Sequence, residues 1–309
     1  MPRRLRYVPP GGALVEVTCR TLQARFLLRP SPLLCEITLG ILGRAQRLSG
    51  VAIHAFVFLA NHYHLLVSVS DAAQLARFAG YLNSNLAREA GRIHAWRERL
   101  WGHRYEAILV SEEDEAQVER LLYLARQGCK EGLVSDPLEW PGATSWQAML
   151  DGGPLEGTWF DRTAESRAQR KGLELDAREF ASPETVVLTP LPAWAHLEPG
   201  VQRERLRELL ALARAEAAAM RHETGRKPPG REAVVGQNPH GSPARSKKGP
   251  APLVHAASRE LRRTYREAYR LFAAAYRRAA EALRAGIEAV AFPEGCFPPP
   301  GPFRRPATA

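Results

Sequence analysis

Residues 51–69, VAIHAFVFLANHYHLLVSV, constrain the fold more than any other stretch of the chain. β-Branched and aromatic side chains dominate it, and Asn61, His62 and His64 make its middle too polar for a buried helix. It divides at Leu59–Asn61 into two strands joined as a hairpin. Side chains alternate along a strand, so His62 and His64 share one face while Tyr63 and Leu65 take the other. Two imidazoles on one face can share a divalent cation. They can equally be packed, hydrogen-bonded core side chains, and the pair alone does not choose between these readings.

The flanking sequence sets the context of this hairpin. Residues 13–20, ALVEVTCR, alternate as a half-buried strand does, with Leu14 offset from Val15, Val17 and Cys19. A helix follows in LLCEITLGILGRAQRLSG, with Gly50 as its stop. After the hairpin, SDAAQLARFAGYLNSNLAREAG opens on a Ser/Asp cap and places Leu75, Phe78, Leu82 and Leu86 at helical spacing. RYEAILV reads as a strand, and residues 111–131 as a helix with acids in its first turn, Gly128 or Gly132 near its end and Lys130 close to its C-terminus. The order β, α, β, β, α, β, α predicts an α+β fold: an antiparallel sheet with helices on one face, of the ferredoxin-like or RRM-like type.

The rest of the chain reads differently. Residues 1–150 form the first predicted domain, and 151–200 carry Gly, Pro and Trp without a clean period, as an irregular connector would. Residues 201–309 are expected to be a mainly helical, basic region with a Pro/Gly-rich linker at 226–252 and a Pro-rich tail. Within it, Leu261, Tyr265, Ala268, Phe272, Tyr276, Ala279 and Leu283 repeat at the spacing of one amphipathic helix.

Charge points to a polyanionic partner. The chain carries 43 Lys+Arg against 33 Asp+Glu, a net charge of +10. Residues 220–285 alone hold 15 basic and 5 acidic side chains, so the surplus lies in the C-terminal region and the remainder is balanced. The Arg-rich flanks of the amphipathic helix are either a solvated face or a rail for phosphates. No run of ~18 apolar residues offers a membrane span, and MPRRLRYVPPGG has no apolar run behind its basic residues, so no signal peptide is expected. Cys19, Cys35, Cys129 and Cys296 form no C-x-x-C pair, which fits a reducing cytoplasm.

Chemistry at the histidine pair needs further groups. Tyr123 and Gln127 stand four residues apart, on one face of the predicted helix 111–131, and can reach a common point. A phenol beside a cation held by two histidines and an amide oxygen is equipped to attack phosphorus. The competing reading makes Tyr123 a core aromatic and Gln127 a surface amide.

Three segments, FVFLANHYHLLVSV, LWGHRYEAILV and VERLLYLARQGCKEGLV, together resemble the single-tyrosine transposases of the HUH nuclease superfamily, in particular the REP-associated tyrosine transposases. The resemblance covers roughly residues 3–145. It matches His62 and His64 to the metal ligands, Tyr123 to the nucleophile and Gln127 to the third ligand. Leu59 and Ala60 depart from the Met-Pro usual there, and QGCKEG replaces an N-P-V-x-x-G pattern; Gln in place of Asn keeps an amide oxygen.

The resemblance implies a DNA transposase acting on single-stranded or hairpin DNA, with Mg2+ or Mn2+ bound by His62, His64 and Gln127. Tyr123 would form a 5′-phosphotyrosine and later allow rejoining. It also implies DNA contacts from Arg3, Arg4 and Arg6, which stand where such proteins carry a basic N-terminal segment. The alternative for the three arginines is a disordered basic tail. Trp101, Arg104 and Tyr105 combine stacking surface with charge, or Trp101 is core; Asn61 touches DNA or shapes the turn, Lys130 flanks the motif residues, and Tyr81 and Tyr105 are rival nucleophiles ranked below Tyr123. The rival readings are a domesticated DNA-binding protein without cleavage and a metal-dependent hydrolase using water. A homodimer and a monomer are both compatible with the sequence, and location in the cytoplasm, on the nucleoid through DNA, is the expectation.

Overall fold

The computed structural model describes residues 4–173, 175–244, 251–287 and 289–297. β1 (Ala13–Arg20), α1 (Pro32–Ser49), β2 (Ala52–Phe58), β3 (His62–Val69), α2 (Ala72–Ile93), β4 (Glu106–Val110) and α3 (Asp114–Ala125) follow in the order read from the sequence. Local chemistry starts and stops them where expected. Ser31 caps α1 by accepting the Leu34 amide, Pro32 opens it, and Gly50 closes it in the left-handed region. Asp71 caps α2 through the Gln74 amide.

Strands β2, β3, β1 and β4 pair antiparallel in that spatial order. Such an order places the first strand at the centre, as a split β-α-β arrangement requires. A short β7 (Val254–His255) adds parallel to β4 at the edge. The α+β class and the helical C-terminal region agree with the sequence reading, but the helices occupy both faces of the sheet. α1 and α2 bring Ile37, Ile41, Phe78 and Leu82 onto Val15, Val17, Tyr63 and Leu65. On the opposite face, α3 and α6 (Pro199–Thr224) cluster Leu121, Leu124, Leu206 and Leu210 with Leu14, Val57 and Leu66. Apolar residues on both faces of β1, β2 and β3 require this second cover.

Residues 151–200, expected to be irregular, contain regular structure after the short α4 (Trp146–Asp151): β5 (Leu155–Phe160), α5 (Arg162–Arg170) and β6 (Ala181–Val186). β5 and β6 form an antiparallel pair against α1. The fit depends on missing side chains: a Cβ on Gly40 would lie 2.2 Å from the Thr158 carbonyl carbon, and one on Gly157 2.2 Å from the Gly40 nitrogen. Buried Glu184 then joins β6 to Arg44 at 2.8 Å and Arg47 at 2.7 Å. Within the predicted linker, α7 (Gly230–Val235) is helical, and the amphipathic pattern beyond it forms α8 (Arg259–Arg284). The Pro-rich tail from 298 onward lies outside the described residues, as does Arg3.

α3 is shorter than the sequence suggested. It ends at Ala125, and the chain continues through turns to Gly128, whose φ is +82°. A Cβ there would approach Trp140 Cε3 to 2.8 Å. Gly128→Ala is therefore expected to cost about 1–3 kcal/mol from strain and the clash with Trp140, read as a lower urea midpoint at unchanged m-value.

Candidate active site

The site lies where β3 faces the end of α3. His62 and His64 project from the same side of β3, with ring centroids 5.0 Å apart. The edge of the Tyr123 ring meets the His64 ring at a centroid distance of 5.4 Å. Tyr63, between the two histidines, points the other way and donates its hydroxyl proton to Asn83.

Each histidine has one nitrogen engaged. His62 Nδ1 meets Asn61 Oδ1 at 2.6 Å, and His64 Nδ1 meets Glu16 Oε1 at 2.6 Å. Both contacts set the tautomer and direct Nε2 away from these partners, which is how outer residues orient imidazole ligands. Burial pushes the His62 pKa well below 6.5, and the neighbouring His64, Arg20 and Lys130 push it further down. His62 is therefore neutral near pH 7, the protonation state in which imidazole can donate a lone pair.

Gln127 stands one turn beyond Tyr123. Its Nε2 donates to the Tyr123 carbonyl at 2.8 Å, across the last turn of α3. That bond leaves Oε1 as the free amide atom, and Oε1 is buried without a hydrogen-bond partner. A buried carbonyl oxygen with no partner costs free energy unless something accepts its lone pairs. A cation is one such partner, and two imidazole nitrogens with one amide oxygen are donor types suited to a divalent ion. Among the described residues no three His, Cys, Asp or Glu side chains converge as a metal set.

Tyr123 is held by charge. The Arg120 guanidinium lies 4.2 Å and the Lys130 ammonium 4.1 Å from its ring centroid. Arg120 in turn bonds Glu16. Glu16 is fully buried in β1, and its two oxygens divide between His64 and Arg120. Burial alone would raise its pKa; the His64 and Arg120 hydrogen bonds and charges outweigh that and hold the carboxyl below its ordinary value. One carboxylate thus ties the histidine strand to the tyrosine helix.

The sequence reading passed over Glu16 and Arg120. A lone acid in the middle of an apolar strand, ALVEVTCR, was the available signal, since such a group is buried only when paired. Arg120 stands three residues before Tyr123 and so shares its helical face.

The structure brings His62, His64, Tyr123, Asn61 and Lys130 together, attaches Gln127 to them through the Tyr123 carbonyl, and places the other candidates elsewhere. Asn61 also donates to the Ala24 carbonyl. Tyr105 is buried in the core on the α1/α2 side, and half-buried Trp101 donates to the Asn83 carbonyl and meets Tyr63 edge-on. Arg4 donates to the carbonyls of Ala251 and Pro252, Arg104 to that of Arg4, and Arg6 lies over Phe297. These last contacts join the N-terminal segment to the C-terminal region.

Glu16→Gln keeps the shape but leaves Arg120 as a buried charge without its counter-ion. It is expected to lower stability by about 3–5 kcal/mol, and Glu16→Gln combined with Arg120→Met should recover most of that loss. Urea denaturation of the two single variants and the double variant measures the coupling.

The sequence model of the family described as "Transposase IS200 like" matches residues 36–127, a segment that begins in α1, contains both histidines and Tyr123, and ends on Gln127. A REP-associated tyrosine transposase bound to a REP hairpin is similar in structure, with 18% identity and a TM-score of 0.41, covering 50% of this chain and 90% of that one. A putative transposase from Deinococcus radiodurans R1 aligns at 19% identity and a TM-score of 0.28, covering 40% of this chain and 96% of that one. No curated protein matches the sequence.

Proposed function

We propose, from the match of residues 36–127 to the family model described as "Transposase IS200 like", that the protein cleaves and rejoins DNA strands through Tyr123. The observation that carries this reading is the placement of Tyr123 against His64, with the partnerless Gln127 oxygen one turn away. Single-stranded or hairpin DNA is the proposed substrate.

The residues divide the work. His62, His64 and Gln127 would hold Mg2+ or Mn2+, which supplies Lewis-acid polarisation of a phosphoryl oxygen. Glu16 fixes His64, and Arg120 carries that constraint to the Tyr123 ring. Lys130 and Arg120 place positive charge over the Tyr123 ring, which attracts the phosphodiester. Tyr123 Oη then bonds to phosphorus as the P–O3′ bond breaks; the phenol gives up one proton and the 3′ oxygen gains one. The product is a 5′-phosphotyrosine with a free 3′-hydroxyl. Because the covalent link retains the phosphodiester's energy, the reverse attack by a 3′-hydroxyl rejoins strands without a nucleotide cofactor.

Incubation with single-stranded hairpin oligonucleotides and Mn2+ is expected to give an SDS-stable protein–DNA adduct that Tyr123→Phe abolishes. Binding without an adduct across varied substrates would support a non-cleaving DNA-binding protein. Cleavage that survives Tyr123→Phe would support hydrolysis by water.

Chelation with EDTA should suppress the adduct in the wild type. His64→Ala should weaken Mn2+ binding, measured directly by calorimetry, by about 10-fold or more.

A further inference from the structure

α8 lies outside the segment that matches the transposase family. Its apolar side is spent within the fold. Tyr265 donates its hydroxyl proton to Glu112, Tyr269 accepts the Leu5 amide, Phe272 is buried against Tyr7, and Tyr276 packs on Phe292. Its first turn is anchored beside α3, because the Glu113 carboxylate at the N-cap of α3 accepts the amides of Ala257 and Ser258.

The other side is a row of arginines. Arg259, Arg262, Arg263, Arg266 and Arg270, with Glu267, line an open groove of about 460 Å³. Glu267 is taken by Arg270 at 2.6 Å, and Arg262 donates to the Ala256 carbonyl. Among the described residues, Arg259, Arg263 and Arg266 form no salt bridge, and the Arg263 charge acts only at longer range on Glu267. They stand on successive turns of a helix whose start is fixed. From Arg259 to Arg270 the rise is about 16 Å at 1.5 Å per residue, the length of about five phosphates on one duplex strand.

We infer that this arginine face is a binding surface for the phosphate backbone of duplex DNA, holding the double-stranded arm beside the strand presented to Tyr123. Two physical features select the partner. Unpaired guanidiniums in a straight row attract a regularly charged polyanion. Single-stranded DNA binding relies on aromatic platforms between the cations, and the four aromatic side chains of α8 are all turned into the fold, which leaves charge alone. A stiff duplex, whose bases are already stacked, asks for charge alone.

The choice of DNA as the polyanion rests on the reading of the protein as a DNA-cleaving enzyme, and the test separates the two. The full-length wild type and an Arg259→Ala/Arg263→Ala/Arg266→Ala variant are titrated by fluorescence anisotropy at several salt concentrations. The probes are a blunt duplex, a single strand of equal length, and vesicles containing phosphatidylserine. The variant should bind the duplex about 10- to 100-fold more weakly at low salt, with a salt slope smaller by about 2–3, near 0.9 per lost phosphate contact. Affinity for the single strand should change far less. A variant with the three positions as lysine should keep most of the slope, which separates loss of charge from loss of fold.

Equal weakening on single strand and duplex, an unchanged duplex affinity, or preference of the wild type for vesicles over duplex would each overturn the inference. The adduct assay on a single strand without a duplex arm runs alongside. If the adduct forms in both proteins while duplex binding ignores the substitutions, the arginine face is wrong and the chemistry stands. If no adduct forms but duplex binding depends on the arginines, the chemistry is wrong and the surface stands.

Discussion

The candidate site depends on a single buried carboxylate. Glu16 lies at the centre of the sheet with no exposure to solvent, and it remains ionised there because His64 and Arg120 share its two oxygens. Neither partner lies on β1. His64 belongs to the neighbouring strand and Arg120 to the helix across the sheet, so the charge cannot be satisfied until both have docked. A buried ion pair adds little net stability compared with an apolar replacement, but it penalises every arrangement in which one partner is missing. Here that penalty sets the register between β3 and α3, the two elements that carry the histidines and the tyrosine.

Much of this was legible because it follows from period. Alternation along β3 puts His62 and His64 on one face, and helical spacing puts Tyr123 and Gln127 on another. Caps at Ser31 and Asp71 and the αL stop at Gly50 punctuate the chain by local chemistry, which a sequence displays directly. Glu16 was hidden because the same alternation that reveals a half-buried strand assigns its polar members to water. Only the second cover of α3 and α6 removes that water, and their apolar sides were not distinguishable from those of helices packed on the first face. The β5–β6 pair escaped for a related reason. Its fit on α1 depends on absent side chains at Gly40 and Gly157, and a contact between backbones leaves no hydrophobic period to detect. α3 looked longer than it is because the Gly128 conformation answers to Trp140, twelve residues on, rather than to its own neighbours.

The C-terminal region is bound into the fold through specific contacts. Its two-residue strand β7 extends the sheet at β4, Glu113 receives the amides of Ala257 and Ser258 just ahead of α8, and Tyr7 near the N-terminus packs on Phe272. Arg4, which the sequence offered as a DNA contact, instead donates to the carbonyls of Ala251 and Pro252. The basic N-terminal segment therefore helps hold α8 in place. The consequence is a fixed relation between the helix bearing Tyr123 and the helix bearing the arginine row, since Glu113, the residue that begins α3, accepts with its carboxylate the amides of Ala257 and Ser258 just ahead of α8. A flexible basic tail raises affinity for any polyanion in any orientation, whereas charges on a helix clamped to α3 can also select a direction of approach. That difference is why the placement of the excess charge, more than its amount, bears on what the protein does.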